Sequence, residues 1–324
     1  MKSTYGLHLL LFCFSMLAIF LIAACSRKDE GRQIHIAIVT DSADDFWKIA
    51  RKGSEKADEE LHNVQVEFRL NAKGTAAEQQ RIVDDLIARG VSGVAITPVD
   101  PAGQAAMIDS AAQKALVMTQ YSDAPNSDRV FYLGTDNHAA GMQAGELLRQ
   151  ALPQGGKVVV FASQDAVQAN QTRYEGIKEA LAGSNIEILD TRMDHGELFH
   201  TRASAADALV RYPQVAGLVG LWKGTCPRIL DAVRDAGKAG KIKIVCFGDD
   251  GETLDGVKAG VICGTIVQQP YEFGYQAVHL MARILGGDRS VIPPGKQQFI
   301  PTVVITQSDV DEFTRKMSQL HGQG

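Results

Sequence analysis

Two aromatic residues that follow the first strand-like run are the first candidates for ligand contact. The segment 39–50 reads VTDSADDFWKIA, in which Phe46 and Trp47 come directly after Asp44 and Asp45. If a helix begins here, adjacent side chains point about 100° apart, so both rings cannot easily face one core. The turn alone leaves two interpretations open: a binding surface, or one ring closing the helix start while the other packs inside. The two acids also suit a helix N-terminus, whose dipole favours negative charge.

A second cluster, in the segment MDHGELFH, contains Asp194, His195, Glu197 and His200. These side chains can bind a metal ion, but the two histidines are five residues apart, which fits neither an HExxH helix nor one helix face. We therefore expect a polar loop there and no metal site. The chain also lacks GxSxG, P-loop and zinc motifs, and no GxGxxG follows its first strand. The sequence predicts neither an enzyme nor a bound cofactor.

The amino terminus has the layout of an export signal. Lys2 precedes an uncharged apolar run, Leu9–Ala24, whose length alone does not separate a signal segment from a membrane-spanning helix. The run ends in IAAC, which resembles the lipobox of bacterial lipoproteins and implies lipidation of Cys25. We expect a signal peptide at 1–24 and a lipidated tether at 25–33. The protein would then be anchored to a membrane by its lipid, in the periplasm or at the cell-envelope surface.

Charge and cysteine usage exclude two further classes of protein. Lysine and arginine number 33 against 38 acids, a net charge of −5, so the sequence indicates no basic surface for nucleic acid. Cys226, Cys246 and Cys263 remain beyond the amino-terminal segment without a CxxC pair, which is not the pattern of a disulfide-built domain. We expect buried free thiols, with a Cys246–Cys263 bridge as the alternative.

Short apolar runs alternate with segments of helical period along the chain after residue 33. Runs such as IHIAIVT at 34–40, GVAIT at 93–97 and KVVVFA at 157–162 are typical of parallel strands covered by helices. About 290 residues exceed what one hydrophobic core usually organises, so we expect two α/β lobes. Ligands of open α/β sheets bind beyond the carboxyl ends of the strands. Here those ends carry polar and aromatic loops, including TPVDP, QYSD, LWKGT, GDDG and VQQP.

From Gln33 to about Ile305 the chain resembles the type I periplasmic solute-binding proteins of the ribose and galactose class. The resemblance lies, in the family's order, in IAIVTDSADDFWKIARKGSEKA, LIARGVSGVAITPVDP, SDAPNSDRVFYLGTDNHAAG, NQTRYEGIKEAL and GTIVQQPYEFGYQAV. It implies two Rossmann-like lobes with parallel sheets, hinged by three crossing segments. The expected parts are an amino-terminal lobe of 34–135 plus 269–295, a carboxyl-terminal lobe of 136–268 plus 296–324, and crossings near Gly134–Asn137, Ile266–Gln269 and Pro293–Gln298.

The same resemblance implies a function. Proteins of this class bind a monosaccharide or sugar-like ligand between two closing lobes and deliver it to the membrane permease of an ABC importer. We therefore expect a lipid-anchored, monomeric binding protein with a small-molecule ligand. The alternative is a sensory protein that presents its ligand, which need not be a sugar, to a membrane histidine kinase or chemoreceptor.

The resemblance also implies which residues contact the ligand. Phe46 and Trp47 occupy the position whose rings stack on the C–H face of a sugar. Gln268 keeps the identity expected of a polar contact. Other polar positions differ from the family: its aspartate after the fourth strand falls at Tyr121, its arginine at Gln171, its asparagine near Thr225 and its second aspartate at Gly248, with Asp249 beside it.

These differences predict a changed ligand preference rather than a loss of binding. Tyr121, Gln171 and Thr225 can each donate and accept a hydrogen bond. Arg173 matches a second, less direct arginine of the family. Trp222, at the end of an apolar run, belongs either to the wall of the cleft or to the core. A ligand with fewer hydroxyl groups or with an aromatic surface would suit such a site.

Overall fold

The computed structural model describes residues 33–163, 167–193 and 198–322. They form two α/β lobes, each built around one six-stranded sheet. The expected signal peptide, Cys25, and the Asp194, His195 and Glu197 cluster lie outside these residues. Within the described ranges, no helix has the length and apolarity needed to cross a membrane.

Helices and strands alternate in both lobes. The first lobe contains β1 (Ile34–Val39), α1 (Asp45–Glu60), β2 (Val64–Arg69), α2 (Ala76–Ala88), β3 (Gly93–Ile96), α3 (Ala105–Ala112), β4 (Leu116–Gln120) and β5 (Tyr132–Thr135). The second contains α4 (Asn137–Ala151), β6 (Gly156–Ala162), α5 (Val167–Leu181), β7 (Ile186–Met193), α6 (Leu198–Arg211), β8 (Val215–Gly220), α7 (Thr225–Asp235), β9 (Lys243–Phe247), α8 (Gly251–Lys258) and β10 (Gly264–Val267). The chain then returns to the first lobe with α9 (Pro270–Leu285), a 3-10 turn (Arg289–Val291) and β11 (Gln297–Ile300), and ends in the second with β12 (Val303–Ile305) and α10 (Val310–Gly322).

The two sheets share one strand order. The first runs β11-β5-β4-β3-β1-β2 and the second β12-β10-β9-β8-β6-β7. All neighbouring pairs are parallel except β10 with β12. In each lobe the order reverses beside its first strand, which creates the crevice where ligands of such sheets bind. The predicted fold, two parallel-dominated α/β lobes, is confirmed.

Burial and capping explain this architecture. Val159 and Val160, adjacent in β6, belong to different hydrophobic clusters, so both faces of the strand are covered. Asp44, Asp136 and Asp250 follow strand ends closely, and each carboxylate accepts a hydrogen bond from a backbone N–H in the first turn of the next helix. The helices therefore begin within a few residues of the carboxyl ends of the strands.

The chain crosses between the lobes three times. Two crossings join β5 to α4 and β10 to α9. The third passes through Pro301 and Thr302, between β11 and β12, and not through Pro293–Gln298 as the sequence predicted. That expected position was wrong because β11 pairs with β5, which places residues 297–300 in the first sheet.

Hydrogen bonds tie the crossings together. The Gln268 amide Nε2 donates to Thr135 Oγ1 at 2.7 Å and so joins the ends of the first and second crossings. In the third crossing, Thr302 Oγ1 donates to Gln143 Oε1 on α4 at 2.6 Å. The Gln269 amide Nε2 donates to the Pro301 carbonyl oxygen at 2.8 Å, which links the second and third crossings.

In each lobe, one pair of helices packs with the two backbones in direct contact. A Cβ atom on Gly53 of α1 would collide with the carbonyl oxygen of Tyr271, and one on Gly274 of α9 would collide with the backbone of α1. In the second lobe, a Cβ on Gly141 of α4 would collide with the carbonyl oxygen of Arg173 on α5. Glycine is needed at these positions because any side chain would force the helices apart.

The cysteine pairing differs from both sequence expectations. Cys226, in the first turn of α7, forms a disulfide with Cys246 in β9, across a sequence separation of 20 and a Cα–Cα distance of 5.8 Å. Both residues are fully buried. Cys263 remains free because the register of β10 on β9 places Thr265, not Cys263, beside Cys246. The predicted free thiols at 226 and 246, and the alternative Cys246–Cys263 bridge, are therefore wrong.

Candidate functional site

A cleft of about 420 Å³ lies between the two lobes, at the carboxyl ends of the strands. The first lobe supplies its lining from the start of α1 and the end of β4, and the second lobe from α5 and the ends of β8, β9 and β10. The lining residues are Asp44, Asp45, Phe46, Tyr121, Arg173, Trp222, Lys223, Phe247, Gly248, Asp249, Ile266, Val267, Gln268 and Pro270. The cleft thus occupies the position at which open α/β sheets bind ligands.

The aromatic pair after β1 is divided between the surface of the cleft and the layer beneath it. Phe46 lines the cleft, whereas Trp47 is 1% exposed and does not. The Trp47 indole Nε1 donates to Asp41 Oδ1 at 2.6 Å, and its ring lies edge-on to both Phe46 and Tyr121. Burial raises the pKa of the Asp41 carboxyl, although the Trp47 hydrogen bond partly offsets the rise. Trp47 therefore packs against Phe46 and Tyr121 beneath the surface of the cleft.

Tyr121 extends the aromatic surface from an unusual backbone conformation. Its φ angle is +62°, and the N–H of Ser122 donates to the carbonyl oxygen of Gln120 at 2.7 Å, which closes a γ-turn around Tyr121. Such a conformation costs about 1–3 kcal/mol and persists only where the surroundings hold it. Here the Tyr132 hydroxyl donates to the Tyr121 carbonyl oxygen at 2.8 Å. The turn directs the Tyr121 side chain into the cleft.

Burial also sets the hydrogen-bonding character of Tyr121. It raises the pKa of the phenol to about 12, and Arg173 lowers it only in part. The hydroxyl therefore keeps its proton at neutral pH and can donate a hydrogen bond to a ligand.

Arg173 provides the buried cation of the second lobe. It is 5% exposed, its Nε donates to Asn137 Oδ1 at 2.9 Å and its Nη1 to the Leu221 carbonyl oxygen at 2.6 Å. The guanidinium carbon lies 4.6 Å from the centroid of the Phe247 ring, a cation–π arrangement. Burial lowers the pKa of Arg173 to about 10, so the side chain remains charged at neutral pH. These contacts fix the guanidinium at the wall of the cleft.

The loops after β8 and β9 form the rest of that wall. Trp222 lines the cleft, and Lys223 Nζ pairs with Asp249 Oδ1 at 3.2 Å. Gly248 has a φ angle of +108°, and a Cβ atom there would approach Lys223 within 3.1 Å. An aspartate side chain, as expected from the family at this position, would not fit without movement of the loop. Asp249 supplies a carboxylate beside the cleft instead.

Eight side chains were predicted to contact the ligand, and the structure brings five of them together. Phe46, Tyr121, Trp222, Asp249 and Gln268 line the cleft. Trp47 lies beneath the surface.

The remaining two predicted residues lie elsewhere. Gln171 is exposed on α5 and its amide Nε2 donates to Glu175 Oε1 at 3.3 Å. Thr225 is fully buried at the start of α7. Neither lines the cleft.

Several lining residues were not selected from the sequence. Arg173 was matched to a family arginine but left out of the predicted site, and Phe247 was not selected. Helical spacing could have found Arg173, because residues two apart on a helix point about 160° apart, so Gln171 and Arg173 cannot both face the cleft. Among the described residues, no group of three or more histidine, cysteine or acidic side chains is placed to hold a metal ion.

Known proteins share both the sequence pattern and the fold. The family described as periplasmic binding protein domain matches residues 36–289. The ribose import binding protein RbsB of Salmonella typhimurium is 25% identical over 277 residues, which cover 84% of this chain and 91% of the relative.

Two solved structures are also similar. A sugar-binding protein of a sugar ABC transporter from Bacillus halodurans has 28% identity and a TM-score of 0.78, covering 86% of this chain and 99% of that one. An ABC transporter solute binding protein from Burkholderia graminis, in complex with D-arabinose, has 27% identity and a TM-score of 0.74, covering 86% and 97%. The chain therefore belongs to the periplasmic binding protein family, a family of solute-binding proteins and not of enzymes.

Proposed function

We propose that this protein is the substrate-binding component of an ABC importer and that it binds a sugar or sugar-like ligand in the cleft between its lobes. The observation that carries this proposal is the cleft itself, which both lobes line with rings and hydrogen-bonding groups. Its volume of about 420 Å³ lies within the range of about 300–1,000 Å³ typical of small-molecule sites. The relatives support it, since one is named for ribose import and another holds D-arabinose.

The lining residues divide into two roles. Phe46 and Tyr121 from the first lobe and Trp222 from the second offer flat surfaces for the C–H faces of a ligand ring. Arg173 and Gln268 offer hydrogen bonds to its polar groups. A ligand that contacts both lobes binds more tightly when they are close together, so binding favours a closed arrangement.

Calorimetry and small-angle scattering of the purified mature protein test this proposal. A panel of pentoses, hexoses, sugar acids and polyols should contain a ligand that binds in the micromolar range and lowers the radius of gyration. At a hundred times its dissociation constant, that ligand should stabilise the protein by about 2.7 kcal/mol. Absence of binding across the panel would contradict the proposal.

A transport assay separates import from sensing. Cells that lack this protein should lose uptake of the radiolabelled ligand if it serves an importer. Unchanged uptake, together with a lost transcriptional response to the ligand, would favour the sensory alternative, which uses the same binding step.

We further propose that the protein acts as a monomer attached to the membrane through lipidated Cys25. The lipid attachment is inferred from the apolar run and the IAAC sequence. A Cys25→Ser variant should move from the membrane fraction to the soluble fraction, and mass spectrometry of the parent should find acyl chains on the amino-terminal cysteine. A parent protein without acyl chains on Cys25 would contradict lipid anchoring.

A further inference from the structure

The Arg173 guanidinium is a buried charge whose partners among the described residues are all neutral. Its Nε and Nη1 donate to an amide oxygen and a carbonyl oxygen, and Nη2 has no partner among the described residues. Buried charges in proteins are usually paired with an opposite charge, since leaving one unpaired away from water is costly. Arg173 is 5% exposed and lines the cleft, and no described residue supplies an anion to pair with it. A bound ligand can supply that anion.

The acids around the cleft are engaged elsewhere. Asp249 pairs with Lys223 at 3.2 Å, and Asp45 pairs with Lys48 at 2.8 Å. Asp44 caps α1 by accepting from the backbone N–H in its first turn at 3.3 Å. No ion pair joins any of these carboxylates to Arg173 within the part of the chain that the structure describes. Among the described residues, Arg173 thus has no counter-ion in the cleft.

A second donor faces the same space from the other lobe. Tyr121 lines the cleft on the side of the first lobe, and its hydroxyl stays protonated at neutral pH. Arg173 lines the same cleft on the side of the second lobe. Two donors that line one cleft favour a ligand group that accepts hydrogen bonds and carries negative charge.

We propose, building on the sugar-type binding function above, that the ligand is a monocarboxylate, a sugar acid, whose carboxylate binds between Arg173 Nη2 and the Tyr121 hydroxyl. A carboxylate is planar, carries one negative charge and accepts from both donors. A phosphate monoester carries nearly two charges at neutral pH, and the three acids around the cleft would repel the excess charge. The carbon skeleton lies against Phe46 and Trp222, which leaves Gln268 for a hydroxyl group.

Matched ligand pairs test the proposal by calorimetry on the mature protein at pH 7. The pairs are D-ribonate with D-ribose, D-gluconate with D-glucose, and D-galacturonate with D-galactose; D-ribose 5-phosphate is added as a dianion. At least one acid should bind more than about tenfold tighter than its neutral partner, as expected for a hydrogen bond to a charged group. It should also bind tighter than the phosphate.

Two tyrosine variants assign the effect to the site. Tyr121→Phe keeps the ring and removes one donor, so it should weaken binding of the acid by about tenfold and that of its neutral partner much less. Tyr275→Phe removes a hydroxyl that donates to Glu60 and does not line the cleft, so it should change neither affinity. Arg173→Lys keeps the charge but not the planar fork, and should weaken acid binding even where the protein folds normally.

The outcomes separate this inference from the proposed function. Neutral sugars that bind as tightly as their acids, or a phosphate that binds tighter, would overturn the inference and leave sugar-type binding intact. A Tyr121→Phe variant with full preference for the acid would also overturn it. Binding of neither the acids nor the neutral sugars would overturn both.

Discussion

Replacing Cys226 and Cys246 together by alanine should destabilise the protein by at least about 3 kcal/mol, because the bridge closes a loop of 20 residues. In the chain-entropy account, a loop of that length restricts the unfolded chain by about this amount at 25 °C. Both cysteines are fully buried, so the lost sulfur contacts add to the effect. For a protein of this size, the expected fall in melting temperature is about 5 °C.

The assay is urea unfolding followed by fluorescence and circular dichroism, with Cys263→Ala as the matched control. Cys263 is free and half-buried, so its replacement should cost much less. Alkylation under denaturing conditions counts the free thiols directly. In the lipidated parent, one thiol should be alkylated without reductant and three after reduction. Three thiols without reductant, or equal stability of the double variant and the control, would refute the disulfide.

The bridge should also affect ligand binding. It joins the first turn of α7, which follows Trp222 and Lys223, to the end of β9, which precedes Gly248 and Asp249. These two loops form one wall of the cleft. The double variant should therefore bind ligand more weakly at temperatures where it is still folded, whereas Cys263→Ala should bind normally.

Three further changes test what stabilises the first lobe. Trp47→Phe removes the indole donor to a buried carboxylate and should lower the free energy of unfolding by about 1–3 kcal/mol, measured by urea titration. Gly274→Ala should destabilise the first lobe by about 1–3 kcal/mol through collision with α1, whereas Gly295→Ala, which has open space, should not. Glu67→Gln removes a carboxylate whose pKa is lowered to about 2, chiefly by Arg89. Because a lowered pKa stabilises the fold above the unfolded value, the stability lost in this variant should be largest above pH 5 and vanish as pH falls towards 2.

The strand and helix pattern was predictable because most strands are continuous apolar runs buried on both faces. The third crossing was not. β11 and β12 have only four and three residues, QQFI and VVI, and both are partly exposed, so neither has the periodicity that marks a strand. Their assignment to different sheets depends on pairing with β5 and β10, which lie far away in the sequence.

The site was predictable in part for a similar reason. The family resemblance identified Phe46, Tyr121 and Gln268, which lie where the carboxyl ends of parallel strands meet at one edge. Which of two neighbouring side chains faces the cleft depends on how a helix is rotated in the fold. In the structure Phe46 and Arg173 line the cleft. Trp47 and Gln171, which motif position had also suggested, do not.

The glycine crossings have a mechanical consequence. Helices separated by side chains can slide by exchanging rotamers, but backbone packed on backbone has no rotamers to exchange, so each pair turns as one rigid lever. One lever runs from the second crossing through α9 and α1 to Phe46, and the other from the first crossing through α4 and α5 to Arg173. We therefore expect a rotation at the hinge to move Phe46 and Arg173 together with their helices. Ligand contacts with these two residues should in turn favour the rotation that closes the lobes.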